Sequence, residues 1–534
     1  MSEPFYITTA ISYPNGRPHI GHAYESIATD IAARFQRSRG RDVFMVTGTD
    51  EHGLKMVQTA RAAGKETLEF ATEISEYFRE MAKELNISHD MFVRTSSADH
   101  HRASQAIWKA MQANGDLYLD RYEGWYSVRD EAFYDESELH EGEGGVRLSP
   151  QDTPVEWTAE ETWFFRLSQY QDRLLALYRD NPDFIRPESR RNEVLRFVEG
   201  GLKDLSVSRT SFDWGVPVPD SPGHVMYVWV DALTAYLSSI GYPDENSNFQ
   251  KYWPANIHMI GKDIVRFHAV YWPAFLMSAG IALPKQIFGH GFLLNRGEKM
   301  SKSLGNVIDP MELARQFGVD QMRYYLLRDV SFGQDGTYSP AAIVRTANAD
   351  LANSFGNLAQ RSLSMIFKNL DGILTVDYEV DEDDATLLAD IMAMANEKLP
   401  TAFDDLAFSI GIEEWMRCVF ASNQYVDAQA PWALRKTDPV RMNAVLMTLF
   451  KAVRALAIAI RPVVPASADK LLDQMGIADD ARDYAALADD GWFERLVSSG
   501  FQVSQPTAIF PRLEMPEGAE EADEAADAKG NGGA

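Results

Sequence analysis

A single cysteine, Cys418, occurs in the 534 residues. That excludes a disulfide framework, and with it any thiolate zinc site built by this chain alone. Long apolar runs are also scarce. The stretch that reads as most apolar, Phe267 to Pro284, is interrupted by His268 and Pro273. It is shorter than the ~20 residues a membrane helix needs and is expected to form a buried helix, so no membrane partner is expected. Met1 to Ala10 lack a basic start followed by an apolar run. No secretory signal is therefore read, and the expected location is cytoplasmic. Positive charge is in short supply as well, with 51 Lys and Arg against 78 Asp and Glu and a net charge of −27. Six acidic residues and one lysine lie from Glu517 onward, a local charge of about −5 of the solvated kind. Bulk charge argues against a polyanionic partner but does not exclude one, because phosphate binding depends on local Lys and Arg.

What is present is ordinary globular composition in a chain too long for one core, which predicts roughly two to four domains. Phe5 to Ile11 is apolar and β-prone, and Tyr13-Pro-Asn-Gly-Arg-Pro18 is a turn-rich loop. Ala23, Ile27, Ile31 and Phe35 then recur every four residues, marking one face of a helix. A second apolar strand, Val43 to Thr47, leads into Gly48-Thr-Asp-Glu-His-Gly53. Strand, helix, strand in this order predicts a parallel sheet, with ligands at the carboxyl ends of its strands. Gly115 to Val225 changes character, with strand-like pieces such as Gly124 to Arg129 and a helical run from Arg190 to Leu202. It reads as an insertion. The α/β pattern resumes with Val225 to Val230, Ile257 to Ile260 and Gln286 to Phe292, and the chain is helical after about Tyr338.

Two short motifs carry chemistry. His19-Ile-Gly-His22 stands where a helix begins, and a helix amino terminus presents unpaired N–H groups that favour phosphate. Two imidazoles three residues apart can donate to one phosphoryl group, and Gly21 leaves room for a nucleotide. Helix capping or metal ligation is the plainer reading of the same residues. Lys299-Met-Ser-Lys-Ser303 follows a strand ending near Leu294 and precedes Gly305. Lysines on such a loop suit a clamp on a transferring phosphate, although a lone lysine-rich pentamer is more often a solvated loop.

Together the two motifs form the paired HIGH and KMSKS signature of class I aminoacyl-tRNA synthetases, complete and in the family's order. The chain resembles the methionyl-tRNA synthetases to about Pro511, through Ala10 to Asn15, Gly48 to Gly53, Tyr227 to Ala232 and Gly261 to His268. The resemblance implies a Rossmann-like parallel-sheet catalytic domain with an inserted connective domain, followed by an all-α anticodon-binding helical bundle. On that reading residues 1–114 and 226–305 form the catalytic domain, 115–225 the insertion and 306–353 a stem-contact linker. Residues 354–515 form the helical domain and 516–534 a disordered acidic tail.

The activity implied is that of a methionine–tRNA ligase, which makes methionyl-adenylate and then charges tRNA(Met) for initiation and elongation. Its partners would be L-methionine, tRNA(Met) and ATP with Mg²⁺. No protein nucleophile is required, so rate comes from positioning and charge stabilisation. His19 and His22 would stabilise the phosphates, Lys299 and Lys302 would hold the β- and γ-phosphates, and Gly21 and Ser301 complete the ATP set. Methionine would be enclosed by Ala10, Ile11, Tyr13, Trp229, Ala232, Leu233, Tyr236, Ile264 and His268, with Asp50 on its ammonium. Trp229, Leu233 and Tyr236 share a helical face, as do Ile264 and His268. An aromatic and aliphatic enclosure suits a polarizable thioether; plain core packing is the alternative for some of its members.

The connective region matches at Ser189 to Leu195 and Gly201 to Arg209, with Arg209 answering to a family arginine near the site. Many relatives bind zinc there through Cys-x-x-Cys knuckles, where this chain has Ser127 and Asp130. The resemblance is to the zinc-free branch, and no metal site is expected. In the helical part, Asn357, Arg361, Pro431 and Trp432 match family contacts to the CAU anticodon. Single-stranded RNA is read by stacking and by bonds to base edges; without the family match, Trp432 would read as a core residue. A leucine, isoleucine or valine enzyme would carry a large editing insertion, and a cysteine enzyme zinc thiolates. A catalytically dead tRNA-binding paralogue would have lost part of HIGH or KMSKS. The chain ends without an appended dimerising domain, so a monomer is expected.

Overall fold

A computed structural model describes residues 2–14, 16–129, 132–295, 298–300 and 306–517. The first strand, β1 (Pro4–Thr8), leads through the turn-rich loop to helix α1 (Ile20–Ser38) and back to β2 (Asp42–Thr49). All four residues of the expected helical stripe, Ala23, Ile27, Ile31 and Phe35, are fully buried against the sheet and the helices beyond it. β3 (Met91–Arg94) follows and pairs with β2, after which helix α2 (Ala98–Ala113) leaves the sheet.

The next segment builds a second, antiparallel sheet around the long pair β4 (Leu117–Ser127) and β5 (Glu156–Phe165). The chain then returns to the first sheet through β6 (Ile185–Arg186), β7 (Ile257–Gly261) and β8 (Ile287–His290). The strand order is β3-β2-β1-β7-β8-β6, and every pairing in it is parallel. Two halves wind outward from the junction of β1 and β7, so the crevice for a ligand opens at their carboxyl ends. β6 comes from within the 115–225 segment, so that segment also supplies an edge of the main sheet.

Val225 to Val230, where the α/β pattern resumes, is divided between a strand and a helix. Val225–Met226 is a two-residue strand paired with Ser208–Arg209, and helix α3 (Val228–Ser238) begins at once. The run is apolar on all sides because α3 is a buried helix, and a short apolar run looks alike in either state.

From Pro310 the described chain is mostly helical, with a short strand at Gly336–Tyr338 and non-helical stretches at 370–381 and 499–517. It includes α4 (Val319–Arg328), α5 (Asn357–Asn369), α6 (Phe408–Gln429), α7 (Pro431–Thr437) and α8 (Pro439–Ile460). One apolar core runs from α1 into this bundle: the Phe35 ring meets Phe403 and Tyr484, each at 5.3 Å between centroids. α8 is more apolar than the Phe267–Pro284 stretch and is long enough to cross a membrane, but it lies in the middle of the bundle with 89% of its apolar window buried.

Candidate active site

All ten residues expected around methionine line one cavity of about 870 Å³, and His19, Gly21 and His22 line it with them. It opens where β1, β2, β7 and β8 end, between α1 and α3. Sequence separation is bridged by topology: β1 and β7 lie side by side, with Thr8 opposite His258.

His19 caps α1. Its Nδ1 accepts from the Gly21 N–H at 3.1 Å, and His22 Nδ1 accepts from the His19 N–H at 3.1 Å. Capping and phosphate binding are therefore compatible. With Nδ1 accepting in both rings, each proton sits on Nε2, so both imidazoles are oriented as Nε2–H donors. The rings lie 3.8 Å apart. Gly21 is required by this packing, because a Cβ there would sit 2.9 Å from the His19 ring. The Ile20 N–H donates to the Ile308 carbonyl at 3.0 Å, which brings the chain just beyond the KMSKS sequence back to the start of α1. Asn295 Nδ2 donates to the Asn306 carbonyl across the same excursion. Lys299 lies in a two-residue strand, Glu298–Lys299, paired with Leu293–Asn295, and Met300 lines the cavity. Ser301 and Lys302 lie outside the described residues.

The apolar end of the cavity is built on α3 and on the segment after β7. Trp229 stacks on Phe267, with centroids 3.9 Å apart and planes 6° from parallel. Around Phe267–Tyr271 the helix widens, the Trp272 N–H bonding to the Phe267 carbonyl five residues back. Such widened turns are frequent at functional sites, and this one carries His268. His268 Nδ1 lies 3.0 Å from the Ile264 carbonyl, which can only accept, so its proton is on Nδ1. Nε2 then accepts from the Tyr236 hydroxyl at 2.7 Å. Burial pushes His268 down to about 4 and His258 well below its ordinary value, so both are neutral at pH 7. Trp272 Nε1 donates to His258 Nε2, which leaves His258 Nδ1–H for Thr8 Oγ1 at 2.9 Å. The result is a polar chain beneath an apolar wall, with tautomers set by backbone and indole partners.

Asp50 is buried at the end of β2, its N–H bonded to the Ser12 carbonyl at 2.9 Å. Lys55 reaches to 6.0 Å above the Tyr13 ring beside it. Glu25 and His290 also line the cavity and were not singled out from sequence. His290 Nδ1 meets the Gly291 carbonyl and Nε2 meets Glu25 Oε2 at 2.9 Å. A carbonyl and a carboxylate as partners favour the doubly protonated ring; burial opposes this, and the Glu25 carboxylate raises the ring's pKa nonetheless. Glu25 Oε1 accepts from the Ala10 N–H at 2.9 Å, so one carboxylate ties α1 to β1 and β8. Glu25 stands three residues after His22, a spacing that places both on one helical face and is the signal for it in sequence.

Arg209 is neither on the surface nor in the cavity wall. It is 2% exposed, donates to Ser206 Oγ at 2.9 Å and lies 4.6 Å above the Tyr227 ring. At the knuckle position, Ser127 is buried and bonded to Thr153 Oγ1 at 2.7 Å, with Ser149 on the same oxygen at 2.8 Å. Asp130 lies outside the described residues. Among the described residues there is no group of three or more His, Cys, Asp or Glu placed to hold a metal ion.

In the helical bundle, Arg361 on α5 lies 5.6 Å above the ring of Trp432 on α7 and bonds to Asp427 at 3.2 Å. Asn357 is exposed one turn earlier on the same face. Trp432 is 49% exposed and so is not a core residue. Pro431 is buried: Ala430 adopts a left-handed φ of 43°, and Pro431 begins the short helix that presents Trp432.

Comparison with known proteins gives a consistent result. Residues 5–144 and 147–363 match the model of class I tRNA synthetases (M), and residues 377–527 match that of the anticodon binding domain of methionyl tRNA ligase. The chain is 56% identical over 510 residues to the methionine–tRNA ligase of Brucella suis, covering 96% of this chain and 98% of that one. It is 55% identical over 520 residues to that of Mycobacterium tuberculosis H37Rv, covering 96% and 99%. Among solved structures, the M. tuberculosis methionyl-tRNA synthetase in complex with methionyl-adenylate superposes with a TM-score of 0.90 at 55% identity, over 96% of this chain and 100% of that one. The apo form of that enzyme gives 0.85 at 51% identity, over 97% and 99%.

Proposed function

Because the chain belongs to the methionyl-tRNA synthetase family of class I, we propose that the cavity between α1 and α3 is the place where it joins methionine to ATP. The chain is a methionine–tRNA ligase. It activates L-methionine with ATP to methionyl-adenylate and pyrophosphate, then passes the methionyl group to tRNA(Met). The observation that carries the site assignment is the meeting of the two residue sets, one suited to phosphate and one to an apolar side chain, in one cavity.

In the first step a methionine carboxylate oxygen attacks the α-phosphorus as the bond to the pyrophosphate oxygen breaks. The Nε2–H groups of His19 and His22 face negative charge as it grows on the phosphate oxygens, and the dipole of α1 adds to them. Lys299, Ser301 and Lys302 enter by resemblance as the clamp on the β- and γ-phosphates, and Mg²⁺ as the companion of ATP. Asp50 takes the ammonium. The side chain lies along Ala10, Ile11, Tyr13, Ala232, Leu233 and Ile264 under the Trp229–Phe267 stack. Tyr236 sits at the end of that pocket and donates its O–H to His268 Nε2, so its oxygen lone pairs, rather than its O–H, face inward. In the second step a ribose hydroxyl of the tRNA 3′ end attacks the methionyl carbonyl and AMP leaves. Asn357, Arg361 and Trp432 are proposed to hold the anticodon, with Pro431 setting the turn that exposes Trp432.

Methionine-dependent incorporation of labelled pyrophosphate into ATP tests the activation site. Lys302→Ala and His22→Ala are expected to depress exchange by ~100-fold or more, the scale of losing one transition-state donor. Exchange at wild-type rate in both would remove the assignment. We further propose a cytosolic monomer that works away from membranes; a sedimentation coefficient of a single 60.0 kDa particle at working concentration is the expected result.

A further inference from the structure

The motifs Gly48–Gly53 and Tyr227–Ala232 contain residues that the reaction leaves unused. His52 and Asp231 are 3% and 0% exposed and are absent from the cavity wall. Asp231 Oδ2 accepts from His52 Nδ1 at 2.6 Å, and Oδ1 accepts from His100 Nε2 at 2.6 Å. His100, on α2, is fully buried and continues to Ser238 Oγ at 2.9 Å, at the far end of α3. We propose that His52, Asp231 and His100 are positioning residues that fix the distance between the ammonium site and the side-chain wall, and thereby set the affinity for methionine.

The loop after β2 is held on its other sides by bonds to other elements. The Asp50 N–H meets the Ser12 carbonyl, Glu51 receives Arg94 at 2.6 and 3.0 Å, and the Gly53 N–H meets the Trp214 carbonyl. None of these reaches α3. The His52–Asp231 bond does, two residues from Asp50 on one side and, on the other, two residues from Trp229 and next to Ala232. A buried carboxylate has a desolvation cost that an apolar residue would avoid, so its presence points to register rather than to stability. The phosphate side is built on α1 and β8, to which this cluster makes no bond among those described. Its influence should therefore fall on methionine and spare ATP.

The proposal rests on the assignment of Asp50 and the α3 wall to methionine. The test is pyrophosphate exchange by the full chain, with methionine and ATP varied independently. His52→Ala is expected to raise the methionine KM by ~10-fold or more while the ATP KM stays within ~2-fold. Asparagine carries its amide nitrogen where histidine carries Nδ1, so His52→Asn should recover to within ~3-fold of wild type. Asp231→Asn keeps the shape, guards against a misfolded alanine variant, and should also raise the methionine KM alone. Equal effects of His52→Asn and His52→Ala, parallel rises in both KM values, or unchanged kinetics in Asp231→Asn would each overturn the proposal. Asp50→Asn separates the two levels. If it leaves the methionine KM unchanged, the pocket assignment fails; if it raises the KM while His52→Ala does not, only the positioning role fails.

Discussion

Tyr236 donates to His268 Nε2 because the Nδ1–H of His268 is already donating to the Ile264 carbonyl, which leaves Nε2 as the acceptor. Tyr236→Phe would leave Nε2 of a buried, neutral ring without a donor, which costs about 1–3 kcal/mol. The expected result is a ~10- to 100-fold fall in kcat/KM for methionine at unchanged ATP KM, read by pyrophosphate exchange. A phenylalanine variant with wild-type methionine kinetics would show that the ring, not the hydroxyl, matters. The depressed pKa of His268 also has a sign. The unfolded ring, near 6.5, binds a proton that the folded ring, at about 4, refuses. Stability from this residue is therefore intact above about pH 6.5 and is lost as pH falls towards 4, at up to about 1.4 kcal/mol per pH unit. His258 adds to the trend, whereas His290, raised, works the other way and loses its contribution as pH rises. Urea midpoints between pH 7 and 5 should fall less steeply in His268→Gln than in wild type. Much of this pocket was legible in sequence through family motifs. The Glu25–His290 pair was not, because its partners stand 265 residues apart and meet only once β1 and β8 share a sheet.

At the level of elements, the strands with clear apolar runs and the α1 stripe could be read directly, since burial on one face imposes its own period. The two-residue strands could not. Ile185–Arg186 joins the main sheet as an edge, and two residues carry no periodicity to detect. Pro431 matches a family contact in sequence, but its structural use is clear only from the fold: the left-handed Ala430 precedes α7, which begins at Pro431 and presents Trp432 to solvent beneath Arg361. Two elements separated in sequence thus meet in one exposed aromatic and guanidinium pair, the one proposed above to hold the anticodon. Trp432→Ala should lower kcat/KM for tRNA charging by ~10- to 100-fold, the range for losing one base stack, and leave pyrophosphate exchange within ~2-fold. Equal loss in both assays would mean that α7 supports the fold rather than the anticodon. Arg361→Ala should weaken charging less than Trp432→Ala, because the ring still offers its face.

At the level of the whole molecule, the catalytic sheet and the helical bundle are joined by buried charge as well as by a shared core. Arg323 on α4 is fully buried and donates to Asp30 on α1 at 2.7 Å. It also donates to the carbonyls of Pro462 and Val463 just past α8, each at 3.0 Å, and to that of Leu85 at 3.3 Å. Asp30 in turn holds Ser88 and Arg34, and although burial raises its carboxyl pKa, the charges of Arg323 and Arg34 and the Ser88 hydrogen bonds together lower it. One guanidinium therefore connects the helix that begins with His19–His22 to the carboxyl end of α8, the far end of that helix from α7 and Trp432. Removing one partner of a buried pair strands the other, a loss of ~3–5 kcal/mol. Arg323→Met should lower the denaturation midpoint accordingly and split a single calorimetric transition into two, because the bond lies at the junction rather than inside either half. Charging of tRNA should then fall further than pyrophosphate exchange, since activation uses the sheet alone while charging needs both ends held in register. Asp30→Asn, which keeps an acceptor for Arg323, should lie between wild type and Arg323→Met in all three measurements. A single transition in Arg323→Met with equal loss in both assays would instead make the pair an ordinary part of one core.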